Sequence, residues 1–308
     1  MPLFWDNKRY HSLNYHLRYK FGQKVFKLPL DAGFTCPNRD GTLSREGCYF
    51  CSARGSGDFA GERGADIRKQ IGQMQEVMHK KWKNGLYIAY FQAFTNTYAP
   101  VERLRILYDT AISCPGVVGL AIATRPDCLP DDVLDLLAEF NQQTYLWVEL
   151  GLQTVHEKTS RLVNLGYTYD TFLKSLSKLN ERKIEAVAHI ILGLPGETEE
   201  EMLTTGKTVA SLPIQGLKIH LLHLMKGTPL MRFYEEGKLK FLTKEEYVRM
   251  VVDILEYVPE NVVIHRLTGD SPRDLLVGPK WSLKKWEVLN SIDEEFIKRN
   301  TWQGRLAL

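Results

Sequence analysis

Six short apolar runs punctuate the chain: VFKLPLDAGF (25–34), LYIAYFQAF (86–94), VVGLAIAT (117–124), YLWVELGLQ (145–153), AVAHIILGL (186–194) and GLKIHLLHL (216–224). Each is rich in β-branched or aromatic residues and ends in polar or turn-forming ones, as buried strands do. Amphipathic stretches alternate with them at 64–80, 100–112, 130–141, 168–181 and 198–211, and another follows at 243–257. Pro100 and Pro130 suit the first turn of a helix, and Thr198 with Glu201 and Thr243 with Glu246 have capping-box spacing. This alternation predicts an α/β fold with a parallel sheet, and six units rather than eight predict a partial (β/α)6 barrel. Residues 1–235 read as the core, and 236–308 as a helical C-terminal extension packed on it.

In such a sheet, functional groups are expected at the carboxyl ends of the strands. Polar residues and glycines gather there: Gln92, Thr95 and Asn96; Thr124, Arg125 and Asp127; Glu149, Gly151 and Gln153; Gly193 and Gly196. Glu149 stands in an otherwise apolar strand, where a charge must be paired or functional. The glycines of GLPGET serve either a helix-entering turn or the close approach of a ligand to backbone. His220 and His223 fall on opposite faces of one expected strand and read as structural.

The most specific chemistry lies just after the first strand. Cys36, Cys48 and Cys51 sit in GFTCPNRDGTLSREGCYFCSARGSG. Cys48 and Cys51 are spaced to bind one metal or adjacent corners of one cluster. Pro37, Asn38, Asp40, Gly41 and Gly47 are turn formers that let Cys36 fold back to join them. No fourth thiol or imidazole is near, and three ligands with an open position favour a reactive centre over a closed structural zinc site. A zinc knuckle completed from a distance is the competing reading. Five cysteines are an odd number and no signal-peptide pattern opens the chain, so a reducing cytoplasm is expected. Cys114 and Cys128 read as packing residues.

Composition narrows the rest. With 308 residues and 44% hydrophobic content the chain can bury a sizeable core, and no apolar run approaches the roughly 18 residues of a membrane span. Lys and Arg number 40 against 37 Asp and Glu, a balance that does not by itself announce nucleic acid. Two regions are locally basic. Lys8, Arg9, Arg18, Lys20, Lys24 and Lys27 form one, which could meet phosphates or be a solvated face. Lys280, Lys284, Lys285, Lys298, Arg299 and Arg305, interleaved with Trp281, Trp286 and Trp302, form the other. Such a mixture suits base stacking with phosphate contact, or a helix packed on a barrel.

The ordered motifs PLDAGFTCPNRDGT, FQAFTNTYAP, ATRPDCLP, VELGLQT, GLPGET and HRLTGD, with the C-x11-C-x2-C loop, resemble the radical S-adenosylmethionine enzymes. Within them the chain is similar to short bacterial proteins related to the catalytic subunit of Elongator, over roughly residues 8–304. The resemblance implies a [4Fe-4S] cluster held by Cys36, Cys48 and Cys51, with S-adenosylmethionine on the fourth iron and a 5'-deoxyadenosyl radical that abstracts hydrogen. It implies an electron donor such as flavodoxin or ferredoxin. By position it assigns Gln92 and Asn96 to the methionine amino group, Thr124 and Arg125 to its carboxylate or the sugar, Glu149 and Gln153 to the ribose, and Gly193 to Gly196 to the adenine edge. The glycine-rich, acid-ending motif usual after the second strand is replaced here by FQAFTNT, which weakens the methionine assignment. Because Elongator's catalytic subunit acts on wobble uridine, the expected substrate is that nucleoside of tRNA, for example conversion of a carboxymethylaminomethyl to an aminomethyl group. A small-metabolite substrate and a zinc-dependent nucleic-acid-binding module are the alternatives.

Overall fold

All six apolar runs form strands, and a seventh joins them. The computed structural model describes residues 4–55, 57–80, 82 and 85–307. Its strands are β1 (Val25–Leu30), β2 (Leu86–Phe91), β3 (Val117–Thr124), β4 (Tyr145–Gln153), β5 (Glu185–Leu192), β6 (Gly216–Leu221), β7 (Leu224–Met225), β8 (Val263–Arg266) and β9 (Leu276–Gly278). The main sheet runs β1-β2-β3-β4-β5-β6-β8, parallel throughout, and β7 pairs with β9 in a small antiparallel ribbon. Seven parallel strands make a half-barrel, as the α/β partial-barrel reading expects.

Helices cover the outer face. They are α1 (Leu13–Phe21), α2 (Ile67–His79), α3 (Val101–Ile112), α4 (Asp131–Gln143), α5 (Glu157–Leu162), α6 (Tyr169–Glu181), α7 (Glu199–Ala210), α8 (Leu230–Glu235), α9 (Lys244–Tyr257) and α10 (Lys285–Lys298). Both predicted capping boxes form, Thr198 with Glu201 on α7 and Thr243 with Glu246 on α9. None of the described helices is long and apolar enough to cross a membrane.

β8 escaped the periodicity because four residues, two of them His265 and Arg266, are too few and too polar to stand out. Through it the C-terminal stretch contributes an edge strand to the main sheet as well as helices packed on it. β6 also stops at Leu221, so the alternation expected through residue 224 breaks, and His220 and His223 reach the same cavity.

A half-barrel leaves a gap between its edge strands, and the N-terminal segment fills it. α1 packs against both β1 and β8. Ser12 forms a parallel bridge with Ile264, whose amide donates to the His11 carbonyl at 2.7 Å. Leu13 and Leu17 then pack with Val25, Ile88, Tyr90, Ala121, Trp147, Val187 and Val263 to plug the amino-terminal end. The buried Gln303 amide locks this corner, accepting from the His11 amide at 2.8 Å and donating to the carbonyls of Pro259 and Val262 at 2.7 and 2.8 Å. With the amino-terminal end plugged, the large cavity lies at the carboxyl end of the barrel.

Where α7 crosses α9, Gly206 lets the helices approach: a Cβ there would sit 2.5 Å from Ile254. Valine normally forms helix better than glycine. Gly206→Val is nevertheless expected to destabilise the fold by about 1–3 kcal/mol through overpacking, read as a lower urea midpoint with unchanged slope. An unchanged or higher midpoint would contradict this packing.

Candidate active site

Beyond β1 the chain turns back on itself. The amides of Arg39 and Asp40 donate to the Cys36 carbonyl at 2.8 and 3.1 Å, Gly47 donates to Asn38 at 2.7 Å, and Cys51 donates to Cys48 at 2.9 Å. Gly41 and Gly47 take φ of 97° and 75°, which favour glycine. The loop is pinned from outside by the turn after α5: Tyr49 N donates to Val163 O at 2.9 Å, Asn164 Nδ2 to Gly47 O at 2.8 Å, and Asn38 Nδ2 to Asn164 O at 2.6 Å. This brings Cys36, Cys48 and Cys51, all half-buried, to one cavity of about 960 Å³ at the carboxyl end of the sheet.

The surroundings favour thiolates. A hydrogen bond from Cys51 is the main influence drawing the Cys48 thiol down to about 7 against its burial, and the Arg125 and Arg39 charges and the Asn38 amide add to it. Cys51, as that bond's donor, is pushed up. Three thiols line one cavity with Arg39 and Arg125 beside them, and a cubane cluster meets each thiolate at its own iron. The donor set therefore fits a cluster. Cys114 and Cys128 are buried outside the loop, Cys128 near enough to feel the Cys36 charge.

The other expected site residues divide. Gln92, Thr124, Arg125, Glu149 and Gln153 border the cavity. The Thr124 hydroxyl bonds that of Thr97 at 2.5 Å, and Arg125 holds Asp127 through two bonds of 2.9 and 2.7 Å. Phe94 and Gln153 adopt φ of 61° and 71° at the ends of β2 and β4, strained conformations that cluster at functional sites. Asn96, Gly193 and Gly196 do not border the cavity. Asn96 is fully buried with its amide donating to the Ala123 carbonyl at 2.9 Å, so it ties two strand ends together, and its Oδ1 has no partner among the described residues. Gly193 backs on Leu222 and Leu242, and Gly196 is exposed; their φ of 89° and 78° shape the turn into α7.

Glu149 needs a larger correction. Its side chain is fully buried, and both carboxylate oxygens are bonded: Lys218 and His189 meet Oε2, the latter at 3.1 Å, and Trp147 Nε1 donates to Oε1 at 3.0 Å. Lys218, equally buried, also donates to the Tyr90 hydroxyl at 3.0 Å, which spans the barrel from β6 to β2. These internal partners are the carboxylate's first duty, with a further acceptor position left on Oε1. Burial works against the ionised Glu149 carboxyl, but the charges of Lys218 and Lys27 outweigh it and hold the group well below the usual carboxylate range. Burial is also the main cause that lowers His189 to about 4, so this imidazole is neutral.

Lys27, Tyr90, Lys218 and Arg266 were not singled out for the site. Lys27 and Lys218 are lone charges within apolar strands, the same signal that marks Glu149. Lys27 was hidden by membership of a basic run, and Arg266 by its place in the unrecognised β8. Among the described residues the C-terminal basic region is largely paired, Lys284 with Glu287, Lys285 with Asp270, Lys298 with Glu295 and Arg299 with Asp253, whereas in the N-terminal one only Lys8 and Arg18 meet acids, Asp293 and Asp6. Trp281 donates to the Leu242 carbonyl at 3.0 Å, while Trp286 remains 76% exposed.

Two stability experiments test this floor. Glu149→Gln or Lys218→Met alone should cost about 3–5 kcal/mol, because each strands a buried charge, while the double variant should recover much of the loss. Additive losses in urea unfolding would contradict the pairing. Burial, with the Arg266 and Lys285 charges, lowers Lys27 from 10.5 to about 8 despite Glu149. Between those values the unfolded chain binds the extra proton, so this lysine makes stability rise with pH from about 8 towards 10.5. Lys27→Met should flatten that rise, and an identical pH profile would refute it.

Residues 36–209 match the family model for the Radical SAM superfamily, and residues 214–298 match that for the Radical_SAM C-terminal domain. A Bacillus subtilis (strain 168) protein, YtqA, is 56% identical over 304 residues, spanning 99% of this chain and 94% of its own length. Human Elongator complex protein 3 is 28% identical over 165 residues, 52% of this chain and 29% of that protein. In fold, the archaeal Methanocaldococcus infernus Elp3 with an N-terminal deletion superposes with a TM-score of 0.66 at 17% identity, over 91% of this chain and 64% of that one.

Proposed function

The chain belongs to the radical SAM superfamily and is related to Elongator complex protein 3, and from that premise we propose that it tailors the 5-substituent of wobble uridine in tRNA. Enzymes of this superfamily use a [4Fe-4S] cluster and S-adenosylmethionine, which together supply hydrogen-atom abstraction from an unactivated C–H bond. Everything else falls to the chain's own residues. Cys36, Cys48 and Cys51 would hold three irons. Gln92, Thr124 and Gln153 border the space beside them and would face the cofactor. The plugged end of the barrel shields the chemistry from water on that side.

One observation carries the reading: the cysteine loop opens on a cavity of about 960 Å³ whose lining includes Phe50, Phe59 and Phe94. Aromatic faces beside such a cleft can stack an extruded base, the usual mode of single-stranded RNA recognition. Conversion of carboxymethylaminomethyluridine to aminomethyluridine is the reaction we favour: loss of a hydrogen atom and then an electron from the methylene beside nitrogen would give an iminium that water hydrolyses to the amine and glyoxylate, the two electrons being taken up by cleavage of S-adenosylmethionine. It would take place in the cytoplasm with electrons from a flavodoxin or ferredoxin. The internal pairing of the C-terminal basic region favours a second reading, a small metabolite in the same cavity, because it leaves less positive surface for an RNA backbone.

Replacing Cys36, Cys48 or Cys51 by Ala should each lower bound iron and sulfide and abolish reductive formation of 5'-deoxyadenosine, whereas Cys114→Ala should retain both. Loss in Cys114→Ala with retention in Cys36→Ala would overturn the ligand set. The substrate is tested by nucleoside analysis of bulk tRNA from cells lacking the gene. Carboxymethylaminomethyluridine should accumulate at the expense of its aminomethyl product, and an unchanged profile would eliminate the wobble reading.

A further inference from the structure

Lys27 and Arg266 stand in the cavity without an acid to answer them. They belong to β1 and β8, the two edges of the sheet, and the curvature of the half-barrel brings both to one cavity. They are close enough for the Arg266 charge to act on Lys27. Neither forms an ion pair or side-chain hydrogen bond with a carboxylate among the described residues. Nearby charges are matched: Lys218 pairs with Glu149, and Lys285 with Asp270 at 2.6 Å. Lys27 instead lies 4.8 Å from the centroid of the Tyr90 ring, which Lys218 approaches to 4.7 Å. Lys27, Lys218 and Arg266 thus share one carboxylate, Glu149, whose oxygens are already engaged.

Half-buried cations that line a cavity with no carboxylate bonded to them suit an anionic ligand. We propose that Lys27 and Arg266 form a subsite for a carboxylate of the substrate. Lys27 lies three residues before the end of β1, and Cys36 lies six residues beyond that end, so the subsite is deeper in the barrel than the cysteine loop. The phosphates of a polymer backbone do not reach such a floor, whereas the substituent of an extruded base or a small amino acid does. Arg266 offers a planar fork for two parallel bonds and Lys27 a point charge, complementary ways to hold one carboxylate. The inference rests on the proposed function only in taking this cavity as the place where substrate meets cofactor; it does not depend on tRNA.

The test uses anaerobic holoenzyme saturated with S-adenosylmethionine, so that the open iron is occupied. N-methylglycine and its neutral amide are titrated calorimetrically. N-methylglycine should bind and the amide should bind at least about tenfold more weakly, a difference of about 1.4 kcal/mol. Lys27→Met and Arg266→Gln should each weaken N-methylglycine by about tenfold or more, with Arg266→Lys intermediate and the affinity for S-adenosylmethionine unchanged. Equal binding of acid and amide, no binding of the acid, or indifference to both substitutions would overturn the subsite. A fall in S-adenosylmethionine affinity in the two variants would also overturn it, by assigning these cations to the cofactor's own carboxylate. If one variant fails to retain its cluster, the other variant and the acid–amide pair on the native enzyme still decide. Carboxylate binding in an enzyme whose loss leaves tRNA nucleosides unchanged would sustain this subsite while eliminating the wobble reading.

Discussion

The ion pair between Glu149 and Lys218 is the constraint around which the interior is arranged. Both side chains are buried, and a lone charge at that depth would be intolerable. Each fixes the other. Trp147 and His189 complete the carboxylate's hydrogen bonds, and Tyr90 takes a proton of the ammonium. Together these groups tie β2, β4, β5 and β6 across the half-barrel and set a polar layer between the apolar plug below and the cavity above. A buried ion pair contributes little net stability compared with an apolar replacement. What it provides here is a charged floor that an apolar layer could not supply.

The plug beneath that floor makes the site one-sided. Because α1 bridges β1 and β8, the edges of the sheet are covered there and the large cavity opens where the strands end. The cysteine loop sits at that opening, pinned by Asn38 and Asn164. Rigid support on one side and access on the other suit a reaction whose reactive species must be kept from water.

Much of this was legible in the sequence. Strand–helix alternation predicted the parallel sheet and partial barrel, and spacing with turn chemistry picked out Cys36, Cys48 and Cys51. Positional assignments at the strand ends fared less well, because strand-end location does not say which way a side chain turns: Gln92 borders the cavity while Asn96, four residues on, faces its neighbouring strand. Glu149 was marked as a charge either paired or functional; its partner, Lys218, lies 69 residues away and only the fold brings the two together. Arg266 lies in the HRLTGD motif but drew no role there, since β8 is too short to leave a periodic trace.

The central claim is that the three-cysteine loop holds a cubane cluster with one iron open to S-adenosylmethionine. Electron paramagnetic resonance of the anaerobically purified, reduced protein tests it most directly. Protein carrying about four irons and four sulfides per chain should give a reduced-cluster spectrum that changes when S-adenosylmethionine is added. Colourless protein with stoichiometric zinc, or a cluster spectrum indifferent to S-adenosylmethionine, would contradict it.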